Sequence, residues 1–362
     1  MTKLNLPKFL FTMIGISILF GCGKKNTDRW ISPKDNVDTS IYKNPVFEPI
    51  LADPTVVQDP ISGYFYAYGT QDNWGDGAGD RLVPILRSLD LVNWINIGQA
   101  FVTRPTWKNQ GFIWAPDVVH VDGNYLMYYA YSLWGDPNPG IGVAVSSKPQ
   151  GPFTDRGKVF LSNEVGVPNS IDPFYWEEEG NKYLFWGSFS SATSTQGTYG
   201  VRLSADGLSA PNSSANKFKI AAGDFEAVVI HKRNGYYYFI GSKGSCCVGI
   251  NSTYHVLVAR SKSLTGPYLD KEGKDVTQRG NGTLLFKGND VFVGTGHTSR
   301  IITDDNDTDW ILYHGISSSK GTVSSGASRR VLMLDRIVWE NDWPTVHGDT
   351  ASSTEQDKPA FR

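Results

Sequence analysis

The chain has 362 residues, a formal net charge of −2 and basic residues dispersed along its length. That balance offers no nucleic-acid surface and makes a neutral substrate a better fit than a polyanion, although net charge decides little about any single cleft. Aromatics make up 13% of the residues beside 38 glycines and 19 prolines, a composition and length for one large β domain or two smaller ones.

The first residues read as a targeting segment. Lys3 and Lys8 precede a mostly apolar run over 9–20, too short to span a bilayer comfortably. Leu19-Phe-Gly-Cys22 closes it, the pattern of a bacterial lipoprotein signal cleaved before Cys22, whose thiol is lipidated. An ordinary signal peptide that happens to contain a cysteine is the alternative. Residues 1–21 are thus expected to be signal peptide, and 22–43 the lipidated cysteine and a flexible tether. The protein would be anchored at the outer membrane, facing the periplasm or the surface, and would meet the membrane only through its lipid. The two other cysteines, Cys246 and Cys247, are adjacent. They cannot staple distant parts of the fold and match no zinc spacing; packed thiols and a vicinal disulfide both remain open.

Past the tether, alternating apolar residues recur over four to seven positions, bounded by Gly, Pro, Asn and Asp, and no amphipathic helix stands out. Five aromatic strands mark an internal repeat: Tyr64-Phe-Tyr-Ala-Tyr-Gly69, Tyr125-Leu-Met-Tyr-Tyr-Ala130, Tyr183-Leu-Phe-Trp-Gly187, Tyr236-Tyr-Tyr-Phe-Ile-Gly241 and Trp310-Ile-Leu-Tyr-His-Gly315. Each is followed by another apolar strand, as in Ile141-Gly-Val-Ala-Val-Ser146, and most repeats close with a further segment such as Trp94-Ile-Asn-Ile97. One repeat therefore holds about four strands. Such a sheet cannot bury both faces alone, so the repeats stack radially. The expected fold is all-β, a five-bladed β-propeller over 44–347, with 348–362 as a polar C-terminal tail. The ring is expected to close by a blade shared between the two ends, with 42–50 as the N-terminal contribution. A β-sandwich is the alternative, but it gives no reason for five matched repeats.

About ten residues before each aromatic strand lies a short stretch with one polar or acidic residue. These are Ala52-Asp-Pro54, Trp114-Ala-Pro-Asp117, Ile171-Asp-Pro173, Phe225-Glu-Ala227 and Gly296-His297. In a propeller the first strand of each blade lines the axis. Aligning the stretches puts Asp53, Ala115, Asp172, Glu226 and His297 in equivalent slots, with Asp117 two residues deeper. Three carboxylates would meet in one pocket. Clustered carboxylates repel, and burial raises the pKa of the least stabilised, so one stays protonated while another is ionised. Glycoside hydrolysis by an acid and a base needs that arrangement. A lone Asp-Pro more often caps a turn; three acids in matched slots of a repeat weigh against that reading. Most of the 46 Phe, Trp and Tyr side chains should be blade core. Trp114 adjoins a channel slot and Trp134 sits in a Gly/Pro-rich loop, so both are candidates to stack on sugar rings. His297 is either a core histidine or a channel residue able to hold a metal with several waters, and one His alone is a weak metal signal.

At these residues the chain resembles glycoside hydrolase family 43, from about Asn44 to Val346, with Arg330-x-Leu-x-Leu-Asp335 and Trp343-Pro344 completing the ordered set. Within that family it is most similar to the endo-arabinanases. Gly187-Ser-Phe189 and Cys246-Cys-Val-Gly-Ile-Asn-Ser-Thr-Tyr254 carry that likeness, along with Val258-Ala-Arg260 to Tyr268. The resemblance implies a five-bladed propeller that hydrolyses α-1,5-linked arabinofuranose polymers with inversion. It implies Asp53 as general base, Glu226 as general acid and Asp172 as the residue that orients the acid and modulates its pKa. It further implies His297 beside a channel calcium ion held largely through water. Asn169, Ser188 and Arg330 join Trp114 and Trp134 as the expected substrate-binding set. The expected partner is plant cell-wall arabinan or arabino-oligosaccharides, met by a monomer. Two positions depart from the family pattern. Ser190 follows Phe189 where the arabinanases usually carry Trp, and Val228 follows Phe225-Glu-Ala227 where the family often has Pro. They leave open an exo-acting α-L-arabinofuranosidase or β-xylosidase, and a non-catalytic glycan-binding propeller stands as the non-enzymatic alternative.

Overall fold

The computed structural model describes residues 40–189 and 195–361, apart from the side chain of His347. The signal, Cys22, most of the tether and Ser190 lie outside the described residues.

Twenty strands form five antiparallel blades of four, each in chain order, with a two-stranded ribbon of Asp72–Asn73 and Asp80–Arg81 inserted in the first. Blade I comprises Thr55–Gln58, Phe65–Tyr68, Pro84–Ser88 and Ile95–Gln99. Blade II comprises Phe112–Val121, Asn124–Ser132, Gly140–Ser146 and Thr154–Leu161. Blade III comprises Ile171–Glu178, Asn181–Gly187, Gly197–Arg202 and Phe218–Ala222. Blade IV comprises Glu226–Arg233, Tyr236–Lys243, His255–Ser261 and Thr283–Lys287. Blade V comprises Phe292–Gly296, Asp309–Ser317, Arg330–Glu340 and Trp343–Val346, with the two-residue strand Ile302–Thr303 beside its second strand. This is the five-bladed propeller expected from the repeat.

The aromatic second strands are the glue between blades. Tyr68, Tyr128, Tyr129, Trp186, Tyr238 and Tyr313 are fully buried. Tyr128 of blade II stacks on Tyr175 of blade III at 5.7 Å, and Phe286 of blade IV meets Tyr313 of blade V at 4.5 Å. Each large ring removed from water contributes on the order of 2–3 kcal/mol, which is why the repeat is written in aromatics.

Closure of the ring differs from the expectation of a blade shared by the two termini. All four strands of blade V come from the C-terminal half. Its outermost strand covers only 337–340 of the Arg330–Glu340 strand, which leaves the upper part of that edge open. The N-terminal segment fills the gap with a single bridge, Phe47 to Leu332, and not with a strand. Asn44 adds side-chain bonds to both backbone groups of Leu334, at 2.8 and 2.9 Å. Residues 348–362, expected as a polar tail, are part of the domain. Gln356–Asp357 pairs with Ile41–Tyr42, Ala351 is buried, and Phe361 packs on Phe65 at 4.6 Å. The few apolar residues in that polar run are the ones that dock. Cys246 and Cys247 form a vicinal disulfide, in the loop between the second and third strands of blade IV.

Candidate active site

Every first strand carries the same irregularity where it enters the channel. Pairing with the second strand runs Trp114 to Ala130 and then Asp117 to Tyr128, so two residues face one. Ile171 and Phe174, Glu226 and Val229, and Gly296 and Ser299 bracket the same skip, as do Ala52 and Thr55. These are β-bulges, which bend a strand and re-aim its side chains. The first bulged residue is left-handed in all five blades: Asp53, Ala115, Asp172, Ala227 and His297, with φ between 42° and 58°. None is a glycine, and such residues cost on the order of 1–3 kcal/mol each, a strain that concentrates at functional sites.

This register corrects one slot of the alignment. Ala227, not Glu226, is the partner of Asp53, Asp172 and His297. Glu226 stands one residue earlier, level with Trp114 of blade II and Gly296 of blade V. Gly296 is bare at that level because the Tyr254 ring occupies the space: an added Cβ would lie 2.3 Å from its Cδ1.

Asp53 is buried and held from several sides. Arg330 Nη1 donates to both carboxylate oxygens at 2.9 and 3.0 Å, and Thr70 Oγ1 donates to Oδ2 at 2.6 Å. Burial alone would raise its pKa, but the Arg330 guanidinium foremost brings it well below the usual carboxylate range. The Asp53 backbone N–H donates to Nδ1 of His314 at 3.2 Å. A nitrogen that accepts has no proton to give, so His314 supports the base through its backbone and the carboxylate leans on Arg330 and Thr70. Burial lowers the pKa of His314 and keeps its ring neutral, in agreement with that tautomer.

Glu226 lives in the opposite environment. Burial pushes its carboxyl up to about 7, against the hydrogen bond from the Tyr254 hydroxyl and with help from the charge on Asp53. No cation forms an ion pair with it among the described residues. Asp172 is also raised to about 7, by burial first, with Glu226 and Asp53 adding to it. Its Oδ2 accepts from the backbone N–H of Ala227 at 3.2 Å, which fixes the peptide next to Glu226. The three acids therefore meet as expected, with one ionised and two holding protons near neutrality. Such a division supplies a base and an acid from one residue class.

Below them the axis is narrow, walled by Thr55, 115–117, 172–174, 227–229 and 297–300. Asp117 does not join the acids. Arg300 Nη2 donates to its Oδ2 at 2.5 Å and to the Tyr175 carbonyl at 2.6 Å, and Thr55 Oγ1 donates to its Oδ1 at 3.1 Å. Asp117 is thus paired within the channel wall.

The remaining expectations divide. Trp114 and Trp134 lie together, ring centroids 5.6 Å apart, and Trp134 is 81% exposed. Phe112, two residues before Trp114, is also exposed. Ser188 is fully buried and bonded to the Pro168 carbonyl, so it holds a loop and cannot touch substrate. The Asn169 amide donates to the Phe189 carbonyl at 3.0 Å and braces the same loop. Arg330 grips Asp53. His297 lies with Nδ1 3.3 Å from Asp53 Oδ1, its side chain 13% exposed at the channel mouth. Tyr254, Thr70, His314 and Arg300 were not singled out as site residues from the sequence: Tyr254 and His314 stood only inside longer runs, and Thr70 and Arg300 lie in loops outside any motif.

Residues 42–344 match the family described as Glycosyl hydrolases family 43. The chain is 32% identical over 312 residues to the extracellular endo-alpha-(1->5)-L-arabinanase 1 of Bacillus subtilis, covering 82% of this chain and 87% of that one. It is 30% identical over 324 residues to the extracellular exo-alpha-(1->5)-L-arabinofuranosidase ArbA of Cellvibrio japonicus, covering 81% and 85%. The Cellvibrio cellulosa alpha-L-arabinanase solved with arabinohexaose superposes with a TM-score of 0.69 at 29% identity, over 83% of this chain and 96% of that one. With a five-bladed scaffold and three buried carboxyl groups at one mouth of its channel, the chain belongs to glycosyl hydrolase family 43 and is a glycosidase.

Proposed function

We propose that the enzyme hydrolyses α-1,5-linked L-arabinofuranose polymers, arabinan and its oligosaccharides, with inversion at the anomeric carbon. The opposite protonation of Asp53 and Glu226 across one mouth carries this reading. Asp53 takes a proton from the water that attacks the anomeric carbon. Glu226 gives its proton to the departing oxygen. Asp172 holds the peptide beside Glu226, and the charge on Asp53 opposes ionisation of the acid. The paired indoles of Trp114 and Trp134 offer apolar faces to sugar rings near the mouth. Linear arabinan incubated with the enzyme should gain reducing ends as mixed oligosaccharides, read by chromatography; no new reducing ends would overturn the proposal.

Exo action, as in an α-L-arabinofuranosidase or β-xylosidase, is the second reading. The Cellvibrio japonicus relative, named for exo action and 30% identical, favours it. Release of monosaccharide alone would select it.

We also infer a calcium ion at the channel mouth, held by His297 and mostly by water. The residues present offer one histidine nitrogen, so any such ion would take most of its ligands from water. Among the described residues no group of three His, Cys, Asp or Glu side chains could hold a metal. Asp53 beside Nδ1 favours the tautomer that leaves a lone pair on Nε2 of His297, and the buried hydroxyl of Thr298 on the same cavity has no partner. The ion would supply positive charge on the axis below the reacting sugar. Elemental analysis of the purified enzyme should find calcium, and His297→Ala should lose it. The N-terminal pattern supports lipid anchoring of a monomer through Cys22; Cys22→Ala should release the protein from the membrane fraction.

A further inference from the structure

Glu226 begins its strand at the catalytic mouth and Arg233 ends it on the far face, where the chain turns back at Tyr236. Arg330, bonded to Asp53, likewise begins a strand that ends at Glu340, followed by Trp343 after the turn. Tyr236 and Trp343 thus meet on the face away from the catalytic mouth, at the edge between blades IV and V. There they line a cleft of about 620 Å³ with Arg260, Lys262, Leu269 and Lys271.

The cleft has an apolar floor and an unmatched positive rim. The Arg260 guanidinium lies 4.3 Å from the Tyr236 ring centroid and 4.4 Å from that of Trp343. One of its nitrogens, Nη1, donates to the Asp342 carbonyl at 2.9 Å. Lys262 Nζ lies 3.3 Å from the Tyr236 centroid. Among the described residues no carboxylate lies within ion-pair distance of Arg260, Lys262 or Lys271. The nearby acids are committed elsewhere. Asp270 accepts from the backbone N–H groups of Glu272, Lys274 and Gly282. Glu272 pairs with Lys274, and Asp342 accepts from Asn234 Nδ2.

We propose that this cleft binds a carboxylate-bearing sugar, the hexuronate units of an acidic glycan, at a site separate from the catalytic mouth. Two rings hold the planar Arg260 fork in place before a ligand arrives, so less freedom is lost when it pairs with a carboxylate. Lys262 and Lys271 supply point charges at the rim. Leu269 and the Gly266-Pro267 turn offer an apolar surface to a pyranose face. The neutral arabinan of the catalytic reading has no charge to match this rim, so the proposal goes beyond that reading.

Native electrophoresis in gels cast with polygalacturonate, linear arabinan or polyglutamate tests it on the whole protein. Polygalacturonate should retard the wild type through this cleft, and polyglutamate of equal charge density should not. Titration calorimetry with trigalacturonate should show binding at least about tenfold weaker in a Lys262→Ala, Lys271→Ala double variant and in Arg260→Lys, as loss of charge-assisted hydrogen bonds requires. Arabinan hydrolysis should be unchanged in the double variant, whose two lysines are exposed. Absence of wild-type retardation, equal retardation by polyglutamate, or undiminished trigalacturonate binding in the variants would each overturn the proposal. A failure to cleave arabinan would bear on the catalytic reading alone.

Discussion

In blade I the left-handed residue of the first-strand bulge is Asp53; in blade IV it is Ala227, and the carboxyl group stands one residue earlier at Glu226. Asp53 has an arginine on both oxygens, and Glu226 has a tyrosine hydroxyl and, among the described residues, no ion-pair partner. Both side chains are buried deeply enough for desolvation to be the largest influence on their proton affinity. A one-residue offset and the placement of Arg330 therefore decide which carboxyl is ionised and which keeps its proton. The scaffold supplies five equal bulges, and the chemistry comes from how unequally their neighbours are charged.

The comparison breaks most completely if the two carboxyls are neutralised. Asp53→Asn and Glu226→Gln should each cut kcat by about a thousandfold or more, with the fold intact by circular dichroism. Near-wild-type turnover in either would remove that residue from its role. Arg330→Met leaves Asp53 buried without its main partner and should cost roughly 10–100-fold in kcat/KM. Tyr254→Phe removes a hydrogen bond that favours the Glu226 carboxylate. The acid should then keep its proton to higher pH, so the alkaline limb of the kcat profile should move up; a downward move would contradict the assignment. Trp134→Ala should raise KM by about three- to tenfold with little change in kcat.

Stability carries the same signature. Glu226 is raised in the folded state from 4.5 to about 7. Its contribution is full below pH 4.5 and is lost as pH rises through 7. Glu226→Gln should be relatively more stable than the wild type at pH 8 by on the order of 3 kcal/mol, and the advantage should vanish near pH 4 in thermal unfolding.

The aromatic second strands made the five blades legible, because buried rings between blades repeat with the architecture. Asp53, Asp172 and Glu226 were legible for a similar reason: they precede those strands at nearly constant distance. The offset of Glu226 was not, since a bulge inserts a residue without changing the apolar pattern on either side. Arg330 stood in a recognisable run, but its hold on Asp53 depends on blade V closing against blade I. Ser188 was misjudged because its hydroxyl turns inward to Pro168. The C-terminal residues looked like a tail because a two-residue strand and one docking phenylalanine leave little periodicity to read.

The stereochemistry of cleavage tests the central claim most directly. Proton NMR should follow the first minutes of hydrolysis of a linear α-1,5-arabino-oligosaccharide. With Asp53 activating water and Glu226 protonating the leaving oxygen, the first reducing end formed should be the β-anomer, which then mutarotates. The α-anomer appearing first would mean a covalent intermediate and would contradict the account.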